Sequence, residues 1–261
     1  MMKESIPKRP FVKEWHLVGF TIFLLLVFAV ILSAQAAGVG QDFSADQFFD
    51  LWVKMANPDW SYLPDILTPL VQTIQMAIVG TLIGCVAAIP FALLSASNIV
   101  KNGFVRGIIR FIMNLIRSIP EMLLAALFVA VVGIGALSGV CALSVFSFGM
   151  MFKLLYEAIE TVDQGPIEAM RAAGGKQSQV VVFAVIPQVL NQYLSFFLYT
   201  LEINVRSSAV LGYLGAGGIG LYLNTTLEMF RYDRTSIVIL AILVVVVFVD
   251  ALSNKLREAL S

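Results

Sequence analysis

The chain has 261 residues, 59% of them hydrophobic and only 13% charged, with a mean hydropathy of +0.89. This composition excludes a soluble globular domain. The formal net charge of zero gives no case for nucleic acid as a partner.

The first fourteen residues carry Lys3, Lys8, Arg9 and Lys13, and an apolar run follows from about Trp15 to Ala37. A basic start, an apolar stretch and Ala34-Gln35-Ala36 also fit a secretory signal peptide. At ~20 residues the run is long for a signal core and sufficient to cross ~30 Å of hydrocarbon, which favours a retained first helix. Residues Gly38 to Pro64 are polar, acidic and aromatic. There Phe48, Phe49, Leu51, Trp52 and Met55 can form the apolar face of a helix lying on the outer interface, or the stretch is a solvated connector with one surface helix.

Five further spans are expected, at about Leu67–Ala96, Ser118–Leu137, Gly139–Tyr156, Gln188–Leu211 and Thr235–Val249, the first of them kinked at Pro90. Lys101, Arg106, Arg110, Arg117, Lys153, Arg171, Lys176, Lys255 and Arg257 fall on one side of a six-span arrangement, together with the N-terminal cluster. The other side keeps Lys54, Arg231 and Arg234, so the positive-inside rule places both termini in the cytoplasm. The fold class is therefore all-α and polytopic. Arg106 to Arg117, RGIIRFIMNLIR, reads as an interfacial helix whose arginines snorkel to lipid phosphates. Arg117-Ser118-Ile119-Pro120 then opens the next span, with Glu121 in its first turn. That acid has either a functional role or the ordinary one of a carboxylate at a helix N-terminus.

The long polar interruption of the C-terminal half is Gln164 to Pro187, QGPIEAMRAAGGKQSQVVVFAVIP. Gly165-Pro166 suits a helix start, Glu168 suits its first turn, and Gly174-Gly175 supplies a left-handed ending. The expected product is a short helix of about two turns, roughly 12 Å long. In the span that follows, Glu202, Asn204, Arg206, Ser207 and Ser208 lie in apolar sequence, where polar groups usually face a cavity or each other. Glu202 and Arg206 stand at i and i+4, so an internal ion pair and an oxyanion-lining role for Arg206 both remain open. As a simple pair, Arg206→Ala would leave Glu202 unpartnered.

Gly212 to Gly220, GYLGAGGIG, holds a formal G-x-G-x-x-G at Gly215, Gly217 and Gly220, but it follows a membrane helix and no β-strand, so a dinucleotide site fails on context. Gly215, Gly217, Gly218 and Gly220 instead suit a tight re-entrant turn near an outer gate. There is no P-loop motif. Cys85 and Cys141 lie in apolar runs, and they and His16 offer no metal-ligand spacing. No catalytic residue, metal or cofactor is expected in this chain.

Glu168, Ala169, Gly174 and Pro187 fall on the EAA-loop pattern and resemble that segment of ABC-importer permeases; Met170, Ala184 and Ile186 depart from it, apolar for apolar. With RSIPE, LEINVRSSAVLG and YLGAGGIG, the chain resembles the phosphonate/phosphite type of these permeases over roughly Leu67 to Leu256. The resemblance implies a type I importer core of six helices including one extra at the N-terminus. The organisation would be a cytoplasmic N-terminus and first span over 1–38, an external amphipathic connector over 39–66, and a permease core over 67–257 with a cytoplasmic coupling loop at 163–179. It also implies that Glu168, Ala169, Arg171 and Gly174 couple to an ATPase. The partners implied are two ATPase subunits carrying ATP and Mg, an external substrate-binding protein, a second copy of the permease, and the lipids of a bacterial inner membrane. The cargo would be a phosphonate or related phosphorus oxyanion. The alternatives are an ion-coupled secondary transporter using Glu202 and Arg206, or a permease of the same superfamily for another small solute.

Overall fold

A computed structural model describes the backbone over residues 11–36 and 45–260, and every described element is helical. Lys3, Lys8, Arg9 and Asp42 lie outside the described residues. The chain divides into two units, 1–53 and 54–261. The first contains α1 (Phe11–Ala36), apolar over Val18–Ser33, and most of α2 (Ala45–Ala56). In α2, Phe48 meets Phe49 and Trp52 edge-on at 5.9 and 6.1 Å, and Phe48 and Trp52, four residues apart, share one helical face.

The second unit begins with a 3₁₀ turn at Trp60–Tyr62, set by the Asp59 carboxylate, which accepts from the Ser61 N–H (3.2 Å) and hydroxyl (2.5 Å). The Ser61 hydroxyl bond, with help from Arg234, holds the Asp59 carboxyl below the ordinary carboxylate range. Then come α3 (Leu63–Ser95), α4 (Gly103–Arg117), α5 (Glu121–Val132), α6 (Ala136–Glu160), α7 (Gln164–Ala172), α8 (Gln177–Val180), α9 (Ile186–Leu211), α10 (Ile219–Glu228) and α11 (Tyr232–Leu260).

Among the described residues four stretches are long and apolar enough to cross a membrane: 60–95, 136–160, 177–216 and 232–259. A fifth exists if α4 and α5 count as one span, bent by 81° at Ser118–Pro120. The expected span Ser118–Leu137 is thereby redrawn. At twelve residues and ~1.5 Å each, α5 covers about 18 Å, short of the ~30 Å core. It stops because Gly133 turns to φ 99°, and Leu137 belongs to α6. The helix α3 runs unbroken past Pro69 and Pro90, so neither proline ends it.

Lipid is as apolar as leucine, so helices here associate through close packing and polar contacts more than through burial from water. Three clusters result. Cys85, Phe152, Ile159, Ile167 and Val185 pack at the α7 end; Met76, Leu124, Leu143 and Leu211 pack between α3, α5, α6 and α9; Ile66, Ala209, Ile219, Ile237 and Val238 pack around α10. The first cluster includes Ile167 of α7, so the bundle directly grips the polar loop.

Candidate functional site

The loop helix α7 starts earlier than Gly165-Pro166: Gln164 is its first residue, so Pro166 stands third and Glu168 lies beyond the first turn. The Asp163 carboxylate caps it by accepting from the Gly165 N–H at 3.0 Å. At the other end Gly174 adopts φ 80°, its N–H donates to the Arg171 carbonyl (3.0 Å) and the Gly175 N–H to the Met170 carbonyl (3.0 Å), the pairing of a Schellman ending. Ile167 is the buried residue of the helix, while Glu168, Ala169, Arg171 and Gly174 are exposed. The result is a short rigid rod with one anchored face and one presented face.

The anchorage continues beneath it. The Arg171 guanidinium donates to the Asn98 carbonyl (3.0 Å) and the Gln177 amide to the Ile99 carbonyl (3.2 Å). Gln188, at the start of α9, both accepts from the Asp163 N–H (3.0 Å) and donates to the Asp163 carbonyl (3.3 Å). Asn98 reaches the Ile159 carbonyl at the end of α6, and Glu160 accepts from the Ser97 N–H (2.7 Å) and Arg110 (2.6 Å). Movement of α7 is thus mechanically linked to the α3–α4 connection and the start of α9, and through Asn98 and Glu160 to the end of α6 and to Arg110 of α4. Sequence reasoning missed Asn98 and Glu160, because each partner lies more than 45 residues away and no local motif marks them. Arg106 and Arg110 also correct the snorkelling expectation. Arg106 donates to the Val100 and Ser97 carbonyls (2.9 and 3.3 Å) and Arg110 to Ser95, so protein acceptors occupy both guanidinium groups.

The polar residues of α9 do not form one site, since a helix turns ~100° per residue and spreads them around its axis. Glu202 and Arg206 face α11, where they join two further charges. Arg257 donates to Glu202 at 2.9 Å; Arg206 lies 3.5 Å from Glu202 and 3.4 Å from Asp250. The pair is therefore a quartet of two acids and two bases, and the stronger partner of Glu202 is Arg257. Arg206→Ala would not leave Glu202 unpartnered, contrary to the sequence expectation, because the second base comes from a helix 50 residues on.

Asn204 points the other way and is fully buried. Its amide nitrogen donates to the hydroxyls of Thr81 on α3 and Ser147 on α6, both at 2.6 Å, tying three helices together. Ser208 is buried and bonds back to the Val205 carbonyl (2.9 Å). Ser207 donates to both Glu121 oxygens at 3.0 and 2.9 Å, so these two expected residues do meet, across α5 and α9.

The glycine segment breaks the helix at Gly215. Gly215, Gly217 and Gly218 take φ values of 93°, 79° and 71°, which L side chains adopt at a cost. Gly220 lies so close to the Ala209 carbonyl that a Cβ would collide with it. The chain then restarts as α10, whose first N–H groups are satisfied from α3: Gly218 donates to Gln72 (3.2 Å) and Ile219 to Thr73 (2.8 Å). A cleft of about 540 Å³, lined by Asp65, Gln72, Gly135, Gly217 and Tyr222 among others, opens beside this turn. Among the described residues no cluster of His, Cys, Asp and Glu has metal-binding geometry.

A bundle of long apolar helices, interrupted by a bent pair, a broken span and an exposed, firmly anchored loop helix, defines a polytopic membrane transport protein. The chain belongs to the family of binding-protein-dependent transport system inner membrane components, whose model matches residues 88–260. It is 43% identical over 201 residues to the phosphite transport system permease protein PtxC of Stutzerimonas stutzeri, covering 77% of this chain and 73% of that one. It is 38% identical to the phosphate-import permease protein PhnE of Mycolicibacterium smegmatis over 73% of this chain and 36% of that longer one. Among solved structures it is similar to the inward-facing MetNI methionine ABC transporter, with a TM-score of 0.67 at 22% identity over 78% of this chain and 99% of that one. That likeness establishes the shared fold alone.

Proposed function

We propose that this chain forms the membrane pathway of an ATP-driven importer for a small phosphorus oxyanion, phosphite or a phosphonate. Two copies of the chain would enclose the pathway. An external binding protein would deliver the anion, and two copies of a cytoplasmic ATPase would supply ATP and Mg chemistry. The observation that carries the ATP-driven reading is α7. It buries Ile167, is hydrogen-bonded to Asn98 in the α3–α4 connection while its cap Asp163 bonds Gln188 at the start of α9, and presents Glu168, Ala169 and Arg171 to whatever docks there. A helix so arranged suits the transmission of motion from a partner subunit to the bundle. In this reading ATP binds to a separate ATPase subunit, and this chain carries no P-loop motif of its own. The cargo class rests on relatives named for phosphite and phosphate transport. In this reading α1 adds a further span, both termini and α7 face the cytoplasm, and the glycine turn with its neighbouring cleft belongs to the outer gate.

The rival is an ion-coupled carrier working through Glu202. The quartet argues against it, because both of the acids involved already have guanidinium partners. Proteoliposomes holding the complete complex and its binding protein separate the two. Phosphite uptake that needs ATP and ignores an imposed proton or sodium gradient supports the importer. Uptake driven by the gradient without ATP refutes it.

A further inference from the structure

Eight arginines lie among the described residues from Arg106 onward, and seven of them have an acid or carbonyl acceptor. Arg117 has none. It is the last residue of α4, immediately before the 81° bend into α5, so it stands at the edge of a membrane-inserted pair and not on a loop. Its stem crosses α6 at Gly149, where a Cβ would lie 3.4 Å from Arg117 Cβ and 3.6 Å from Cγ. The helices are close enough there to fix the root of the side chain. The side chain lines a cleft of about 250 Å³ between the bend and α6, with Ile119, Leu124, Phe146, Met150 and Lys153. Drug-sized ligands take roughly 300–1,000 Å³, so this volume suits a smaller solute.

Charge bookkeeping singles out this cleft. Lys153 is matched by Glu157 and hydrogen-bonded to the Tyr156 hydroxyl, so it adds local polarity and little net charge. Arg206 is matched twice within a neutral quartet. Glu121, one turn beyond Arg117, engages Ser207 on α9. No acid or carbonyl accepts from the Arg117 guanidinium among the described residues, so it presents a free planar fork of donors at the exposed edge of this mainly apolar cleft. The planar fork of donors matches the oxygens of a tetrahedral oxyanion.

We infer that Arg117 is a specificity-determining residue of the pathway, contacting the phosphorus oxyanion in the cleft at the α4–α5 bend. This rests on the importer reading above. A lipid phosphate offers the same chemistry, and the experiment distinguishes the two sources. The complete complex with its ATPase and binding protein is reconstituted as wild type, Arg117→Gln and Arg117→Lys, and phosphite delivered per ATP hydrolysed is measured. Native mass spectrometry of the same preparations records bound anionic lipid. The expected result is that Arg117→Gln assembles, retains ATPase stimulation by the binding protein, and delivers about ten-fold less phosphite per ATP, the loss typical of one charge-assisted contact. Arg117→Lys should recover part of the yield. Three results overturn the inference: unchanged yield in Arg117→Gln, loss of a bound anionic lipid with yield unaffected, or failure of both variants to assemble. A wild-type complex that carries neither phosphite nor methylphosphonate overturns the functional reading itself, and the inference falls with it.

Discussion

The charged quartet ranks its own members. Arg257 donates to Glu202 at 2.9 Å with side chains only 30% and 16% exposed, whereas Arg206 is 54% exposed and its contacts are 3.4 and 3.5 Å. Arg257→Met removes the short bond and leaves two carboxylates to share one guanidinium. A hydrogen bond to a charged group contributes about 1.5–3 kcal/mol. The exposure of Arg257 keeps the loss below the ~3–5 kcal/mol of breaking a fully buried pair. At about 2–4 °C per kcal/mol for a chain of this size, the melting temperature of the purified complex should fall by roughly 3–12 °C. Arg206→Ala should cost less than about 1 kcal/mol, as exposed pairs do. The double variant Glu202→Gln/Arg257→Met removes both charges, leaves the Arg206–Asp250 pair intact, and should recover most of the loss. Thermal unfolding followed by intrinsic fluorescence in detergent reads all three. Equal destabilisation by Arg206→Ala and Arg257→Met, or no recovery in the double variant, would refute the ranking.

Other sites give sharper single outcomes. Asn204→Ala loses both 2.6 Å bonds that join α3, α6 and α9, and should lower stability by about 1–3 kcal/mol, measured by the same unfolding assay. Gly220→Ala sets a methyl group against the Ala209 carbonyl and 2.7 Å from the Tyr213 nitrogen, so overpacking of about 1–3 kcal/mol is expected, visible as reduced thermal stability. The folded-state pKa of Asp59 is depressed, so its contribution is present above the ordinary value of 3.8 and lost as pH falls through the lower folded value. Asp59→Asn should therefore flatten the acid limb of the stability profile below about pH 4, and an unchanged limb counts against the Ser61 and Arg234 contacts.

The sequence was most informative where structure is local. The glycine ending of α7, the amphipathic α2, and the break at Gly215–Gly220 each follow from a few adjacent residues, whereas the Asp163 cap that starts α7 went unread. Hydropathy located the long spans but not the helix boundaries at the bend, because Gly133 and Gly135 end and restart helices inside a continuous apolar run. It also could not tell that the polar cluster of α9 points in three directions, since partners such as Thr81, Glu121, Ser147 and Arg257 lie on other helices. The arginine stripe of α4 looked uniform, yet Arg106 and Arg110 hold carbonyls and Arg117 does not. Only the fold separates them.

The central claim is that α7 couples a partner's ATP hydrolysis to passage of the anion. Glu168→Lys reverses the charge on its exposed face; Gly174→Asp forces a side chain onto a φ of 80°, where open space removes any clash but not the backbone cost. The decisive measurement is phosphite transported per ATP hydrolysed by the reconstituted complex, together with its ATPase stimulation by the binding protein. The account predicts that both variants assemble and keep a folded bundle while that ratio and the stimulation collapse. Wild-type stimulation and wild-type uptake in both variants would contradict it.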